Sequence, residues 1–98
     1  MMSNLKDIQQ WYAAACDGDW EHSYGIRIET TDNPGWIISV DLARTALYGR
    51  MCEMEDECTD GSWASAKSDG IEFVAGCDPS SLERAIGYFV EFAAAESA

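Results

Sequence analysis

Apolar and polar residues alternate in two runs between Tyr24 and Leu42, and this period of two is the feature that most constrains the fold. Such alternation is typical of β-strands with one face in a core and the other in water. Asn33-Pro34-Gly35 separates the two runs. Proline presets the second position of a type II turn and glycine accepts the positive φ of the third. The pattern therefore predicts an antiparallel hairpin.

Three further strands are predicted downstream, over residues 45 to about 53, 63–67 and 71–75. The first of these has the weakest alternation, and the acidic run 53–57 that follows it is expected on a sheet edge or in a loop. Asp69-Gly70 separates the last two strands. Because both residues tolerate a positive φ, they predict a tight hairpin turn.

A helix is predicted at each end of the chain. Leu5, Ile8, Tyr12 and Ala15 recur at helical spacing between Ser3 and about Cys16, and Gly18 follows as a stop signal. A second apolar stripe begins at Leu82, behind a predicted capping box between Ser80 and Glu83. The expected fold class is α+β: residues 1–98 form one domain, with an antiparallel meander sheet of about five strands and both helices on one face.

The charge balance limits the possible partners. Eighteen acidic against six basic residues give a formal charge of −12. This field repels nucleic acid and anionic membranes, so neither is an expected partner, whereas a basic protein is attracted. No apolar run is long enough to span a bilayer, and the first residues lack the pattern of a signal peptide. We therefore expect a cytoplasmic protein.

The four cysteines, Cys16, Cys52, Cys58 and Cys77, follow no metal-binding spacing, and His22 is the single histidine. Free thiols are the expected state in a reducing compartment. Their surroundings are acidic, which disfavours a reactive thiolate. No phosphate-binding loop or catalytic triad pattern is present. We expect neither a cofactor, nor a bound metal, nor enzymatic activity.

Several blocks together resemble the immunity protein 53 family of bacterial polymorphic toxin systems. The blocks are Trp11-Tyr12, Cys16-Asp17-Gly18-Asp19-Trp20-Glu21-His22, Gly25-Ile26, Asp32-Asn33-Pro34-Gly35-Trp36, and Asp41-Leu42 with Thr45 and Leu47. The resemblance covers almost the whole chain. It implies a cytoplasmic antidote that binds and blocks the effector domain of a cognate toxin encoded beside it.

The candidate partner-binding residues fall in three places: Asp17, Asp19, Trp20, Glu21 and His22; Trp36; and Glu55, Asp56 and Glu57. For the first block three roles are open: turn-forming and packing contacts, toxin contact, and metal binding or acid–base catalysis. The spacing fits neither a calcium loop nor a zinc site, and Glu21 and His22, as neighbours on a strand, would point to opposite faces. Trp36 fits either a core position or a binding anchor. The acidic run is either a solvated edge or a decoy for phosphate in the basic cleft of a nuclease toxin.

The functional prediction is an immunity protein that neutralises a toxin by direct contact. A small-molecule-binding or regulatory domain, with its ligand between sheet and helix, is the alternative. Monomer and homodimer are both left open.

Overall fold

A computed structural model describes residues 4–94, which form two long helices, one short helix and five strands. In chain order they are α1 (Asn4–Ala15), α2 (Trp20–Ser23), β1 (Ile26–Thr31), β2 (Gly35–Asp41), β3 (Met51–Glu57), β4 (Trp63–Asp69), β5 (Glu72–Cys77) and α3 (Leu82–Ala94). The α+β class, the five antiparallel strands and the helix near each end are confirmed. Ser3, where the first helix was predicted to begin, lies outside the described residues.

All five strands pair antiparallel in one open sheet with the order β1-β2-β5-β4-β3. The predicted β1–β2 and β4–β5 hairpins are present, and β3, β4 and β5 form a meander. β2 and β3 are not neighbours, because β5 lies between β2 and β4. The chain therefore crosses one end of the sheet after β2, and β1 and β3 become the two edges.

The third strand begins later than predicted. Residues 45–50 form consecutive turns instead of extended chain: Thr45 N–H bonds Leu42 O (3.1 Å), Tyr48 N–H bonds Thr45 O (3.2 Å), and Arg50 N–H bonds Leu47 O (3.0 Å). Strand β3 starts at Met51 and includes the acidic run. The expectation that this run lies on a sheet edge is thus confirmed.

The core lies between one face of the sheet and α3. Phe73 of β5 packs against Phe89 and Phe92, with ring centroids 5.2 and 5.1 Å apart. Trp11 of α1 meets Phe89 edge to face at 4.9 Å, so α1 packs mainly on α3. Burying a large apolar side chain contributes about 1.5–3 kcal/mol. This aromatic cluster therefore holds the helix layer on the sheet.

The start of α3 differs from the predicted capping box. The helix begins at Leu82, and Asp78 accepts hydrogen bonds from Ser81 Oγ (2.5 Å) and Ser80 N–H (3.1 Å). The Glu83 carboxylate instead accepts a hydrogen bond from the N–H of Asn4 (3.0 Å). The Ser80–Glu83 prediction was wrong because the N–H of Ser80 bonds Asp78 instead, while Glu83 joins α3 to the first residue of α1.

Gly35 is required for a different reason from the one predicted. It is the first residue of β2 and lacks a positive φ, unlike Gly18 and Gly70, which both have φ of 94°. A Cβ on Gly35 would overlap the carbonyl oxygen of Cys77 on the neighbouring strand. The close approach of β2 and β5 therefore excludes a side chain here.

Gly35→Ala is expected to lower the free energy of unfolding by about 1–3 kcal/mol, the usual cost of forcing extra volume into a packed site. Gly25→Ala is the matched control, since a Cβ at Gly25 meets nothing within 4 Å and its φ is not positive. Urea denaturation of both variants measures the difference. Equal stabilities would contradict the close-approach explanation.

Candidate partner-binding surface

One face of the sheet carries none of the helices described for residues 4–94, and it is here called the open face. The cross-strand register places alternate residues of every strand on it. Its central and β3-side members are Ile37, Val74 and Gly76, then Trp63, Ser65 and Lys67, then Glu53, Glu55 and Glu57. The residues that alternate with them along each strand, such as Ile38, Ala75 and Ala66, point to the other face and are buried beneath the helices. The open face is therefore the largest part of the sheet available to a partner.

Trp63 is the dominant side chain of the open face. The tip of its ring lies over Gly76, where the ring atoms Cζ3 and Cη2 would be 3.8 Å from an added Cβ, and 38% of the residue stays exposed. Two open depressions of about 400 and 330 Å³ meet at the ring. Glu55, Trp63 and Ser65 line both of them. We define Glu55, Glu57, Trp63, Ser65 and Gly76 as the Trp63 face.

Two carboxylates flank the indole. Glu57 lies directly opposite Trp63 in the β3–β4 register, and Glu55 lies opposite Ser65. The next residue along the edge, Glu53, is opposite Lys67, which offsets its charge. An aromatic ring beside two carboxylates attracts a cation, because the ring face and both oxygens carry negative potential. The Trp63 face is therefore suited to a lysine or arginine side chain.

Asp56 belongs to a different group from Glu55 and Glu57. Its side chain lies on the helix side, where the Arg84 guanidinium approaches its carboxylate (3.3 Å) and its backbone oxygen (3.3 Å). Arg84 also donates to Ser62 Oγ (3.4 Å) and contacts Cys58 Sγ (3.6 Å). Arg84 thus ties edge strand β3 and the following loop to α3, and Asp56 is one of its anchors.

Asp78 positions the backbone of Trp63. One carboxylate oxygen accepts hydrogen bonds from Ser81 Oγ and from the N–H of Trp63 (2.9 Å), and the other accepts the N–H of Ser80. These bonds, led by that of Ser81, hold the pKa of Asp78 below its usual range. A single carboxylate therefore joins the start of β4 to the start of α3.

The Asp17–His22 block forms a loop and the short helix α2, so Glu21 and His22 do not lie on a strand. Asp17 Oδ1 accepts the N–H groups of Asp19 and Trp20, both at 2.9 Å. The Glu21 carboxylate accepts the N–H groups of Asp17 (3.0 Å) and Gly18 (2.9 Å). These local bonds curl the chain into a turn, and those from Trp20 and Asp19 lower the pKa of Asp17.

Both tryptophans proposed as partner contacts, Trp20 and Trp36, form hydrogen bonds and packing contacts within the protein. Trp20 is only 2% exposed, and its indole N–H donates to the carbonyl of Ala43 (2.9 Å). Trp36 is half-buried on the helix side of the sheet, and its indole N–H donates to the carbonyl of Pro79 (3.0 Å). Their hydrogen bonds and packing assign them structural roles.

The structure does not bring the proposed contact residues together. The Asp17–His22 block precedes β1, at one edge of the sheet, whereas Glu55, Asp56 and Glu57 are in β3, at the other edge. Sequence reasoning assigned Trp63 to a strand but not to the site. Its alternation with Ser65 and Lys67 was a usable signal, yet only the cross-strand register shows that Trp63 faces Glu57.

The cysteines are free, and Cys77 is fully buried in the core. Burial raises the pKa of both Cys77 and Cys52. Within residues 4–94, no group of three or more His, Cys, Asp or Glu side chains is arranged to hold a metal ion. Among the described helices, none has the length and apolar character needed to cross a membrane.

The fold is a small α+β domain with the described helices on one side of an antiparallel sheet. The family model of immunity protein 53 matches residues 5–94, and the chain belongs to that family. No curated protein and no solved structure matches the chain.

Asp78→Asn is expected to destabilise the protein at neutral pH, since one of its new amide hydrogens would face the N–H of Ser80 or the donors at the other oxygen. A lowered folded-state pKa stabilises the protein above the unfolded pKa of about 3.9 and ceases to do so as pH falls through the folded value. The stability difference between wild type and variant should therefore be full near pH 7 and shrink below about pH 4.

Urea denaturation at several pH values measures this difference. Asp32→Asn, in the exposed β1–β2 turn, controls for the loss of one negative charge. A difference for Asp78→Asn that stays constant down to pH 3 would contradict the role given to its carboxylate.

Proposed function

We propose that this chain is an immunity protein that neutralises a cognate toxin domain by direct binding, and that the Trp63 face makes the central contact. Membership of the immunity protein 53 family supports the antidote role. The observation that carries the choice of surface is the exposed Trp63 ring, flanked by Glu55 and Glu57 on the sheet face opposite the described helices. The inhibition is by occupation of the toxin and requires no chemical step in this chain.

The chemistry of the Trp63 face indicates a basic partner. A guanidinium or ammonium group stacked on the indole would place its hydrogen-bond donors toward the two glutamates. Tryptophan is enriched among the residues that dominate binding energy at interfaces. The formal charge of −12 would speed the encounter with a positively charged surface. A nuclease toxin, whose cleft must attract phosphate, fits this requirement.

The Asp17–His22 block has a smaller role in this proposal. The Asp17 and Glu21 carboxylates already accept two backbone hydrogen bonds each, and Trp20 is buried. Asp19 and His22 are exposed and can contribute to long-range attraction of the partner. Trp36, at the opposite end of β2 from this block, supports the fold through its hydrogen bond to Pro79.

The small-molecule alternative has less support. The groove that best matches a ligand site between sheet and helix lies between α1 and β1 and measures about 440 Å³. Its lining is mostly apolar and includes no charged side chain, so it lacks the convergent polar groups that orient a ligand. The structure favours a protein partner over a small molecule for this chain.

Reversing the charges beside Trp63 tests the electrostatic part of the proposal. In Glu55→Lys/Glu57→Lys, association with the toxin domain encoded beside this chain should slow by at least about tenfold at low salt and lose its salt dependence. Stopped-flow or surface plasmon resonance measurements at several salt concentrations give the rates. Asp56 stays unchanged in this variant, because its carboxylate pairs with Arg84 and helps to hold β3 to α3.

The control is Asp32→Lys/Glu91→Lys, which changes the net charge equally but at exposed positions away from the Trp63 face. Equal slowing by both double variants would show that net charge, and not the Trp63 face, guides binding. Binding unaffected by either would refute the electrostatic role.

Trp63→Ala tests the anchor itself. Loss of a binding hot spot costs at least about 2 kcal/mol, so dissociation of the toxin should accelerate about 30-fold and growth rescue should fail at low expression. Trp63→Phe keeps a ring and should retain part of the affinity. Unchanged melting temperatures are the folding control for both variants. An unchanged dissociation rate in Trp63→Ala would place the interface elsewhere.

A further inference from the structure

Among the described residues, no strand pairs with the outer edge of β1, and three of its peptide groups point outward. The N–H of Asp41 bonds the carbonyl of Gly25 (3.1 Å), and Ile26 lies opposite Val40 in the register. Because hydrogen-bonded pairs alternate along an antiparallel ladder, odd residues of β1 bond to β2. The N–H and C=O groups of Ile26, Ile28 and Thr30 therefore point away from the sheet, ready to pair with another strand.

Apolar side chains are exposed beside this edge. Ile28 is 40% exposed on the helix side of β1, and Leu5 and Tyr12 of α1 are 50% and 40% exposed. The three line the groove between α1 and β1, because α1 packs on α3 and leaves the edge strand uncovered. An unpaired edge and an adjacent apolar groove together form a surface that can bury area against a partner.

We propose that this surface binds a second copy of the chain, through antiparallel pairing of the two β1 strands about Ile28. In this register Ile28 pairs with Ile28 of the second copy, and Ile26 pairs with its Thr30. The peptide groups of Ile26, Ile28 and Thr30 all point outward, so each of these pairs is of the hydrogen-bonded type. Three such pairs, counting the symmetric one, would form six interchain hydrogen bonds.

The charges of β1 select this register. Pairing about Ile28 places Arg27 opposite Glu29 of the second copy, twice by symmetry, in non-hydrogen-bonded pairs where side chains lie closest. The adjacent symmetric registers centre on Arg27 or on Glu29. Each would set two like charges against each other at the two-fold axis. Arg27 also pairs with Glu72 of its own chain at 3.6 Å, but both side chains are exposed and such pairs contribute little.

The opposite edge of the sheet, strand β3, would repel a second copy of itself. Pairing two β3 strands about Met54 would place Glu53 opposite Glu55 of the second copy, and the like charges would repel. Of the two sheet edges, β1 therefore attracts a copy of itself and β3 repels one.

The dimer would also cover the apolar groove. Directly opposite residues of paired strands point to the same side of a sheet, so both helix layers lie on the same side of the joined sheets. The two α1 helices then approach above the Ile28 pair, with Leu5 and Tyr12 from each copy between them. The Trp63 face, near the other edge, stays open in each protomer, so dimerisation and toxin binding are independent.

A charge exchange tests the pairing. Arg27→Glu and Glu29→Arg each set like charges opposite each other twice, and each should raise the dimer Kd by at least about tenfold. An equimolar mixture of the two variants restores both attractive pairs, and should form dimers that contain one copy of each. Sedimentation velocity over a dilution series, at physiological ionic strength and without toxin, measures all three samples and the wild type.

Three results would overturn the proposal. They are a wild type that stays monomeric at every concentration, single variants with the wild-type Kd, or a mixture that stays monomeric although both variants keep the wild-type melting temperature. If either variant has a lower melting temperature than the wild type, amide hydrogen exchange of the wild type becomes the deciding measurement. Protection of the Ile26, Ile28 and Thr30 amides that grows with concentration supports the β1 pairing, and protection independent of concentration refutes it.

Discussion

The contact of Phe73 with Phe89 and Phe92 is the interaction on which the rest of the structure depends. It joins the middle of the sheet to α3, and α1 then packs on α3 through Trp11. Because both long helices gather at one face, the other face carries none of the described helices. Because α1 is held by α3 more than by the sheet, β1 keeps an uncovered edge and an apolar groove.

Charge is distributed unevenly around this framework. The β3 edge carries Glu53, Glu55 and Glu57 on its open side, and Trp63 stands beside them. The β1 edge alternates Arg27 with Glu29 between apolar or uncharged residues. The two edges therefore differ in charge pattern, and we propose a basic protein as the partner of the first and a second copy of the chain as the partner of the other. Asp78 and Arg84 support the β3 edge from the helix side of the sheet, since they hold Trp63 and β3 against the start of α3.

Local chemistry made much of the fold predictable. Alternation before and after the Asp32–Gly35 turn predicted β1 and β2, and Asp69-Gly70 predicted the hairpin between β4 and β5. The helical stripe that contains Phe89 predicted α3. The predictions that were wrong concern competition between groups. The N–H of Ser80 bonds Asp78 and not Glu83, and hydrogen-bonded turns replace the extended chain expected from Thr45. In both cases a nearby acceptor takes the N–H group.

The sequence by itself determined the α+β class, the acidity and the family resemblance, since these rest on periodicity, composition and short blocks. Tertiary structure decided the strand order, which puts β5 between β2 and β4 and sends β3 to the edge. It also separated Glu55 and Glu57 from Asp56 and placed them beside Trp63. Neither outcome is local, because strand order and register follow from which faces bury the most apolar surface, and that depends on the whole chain at once.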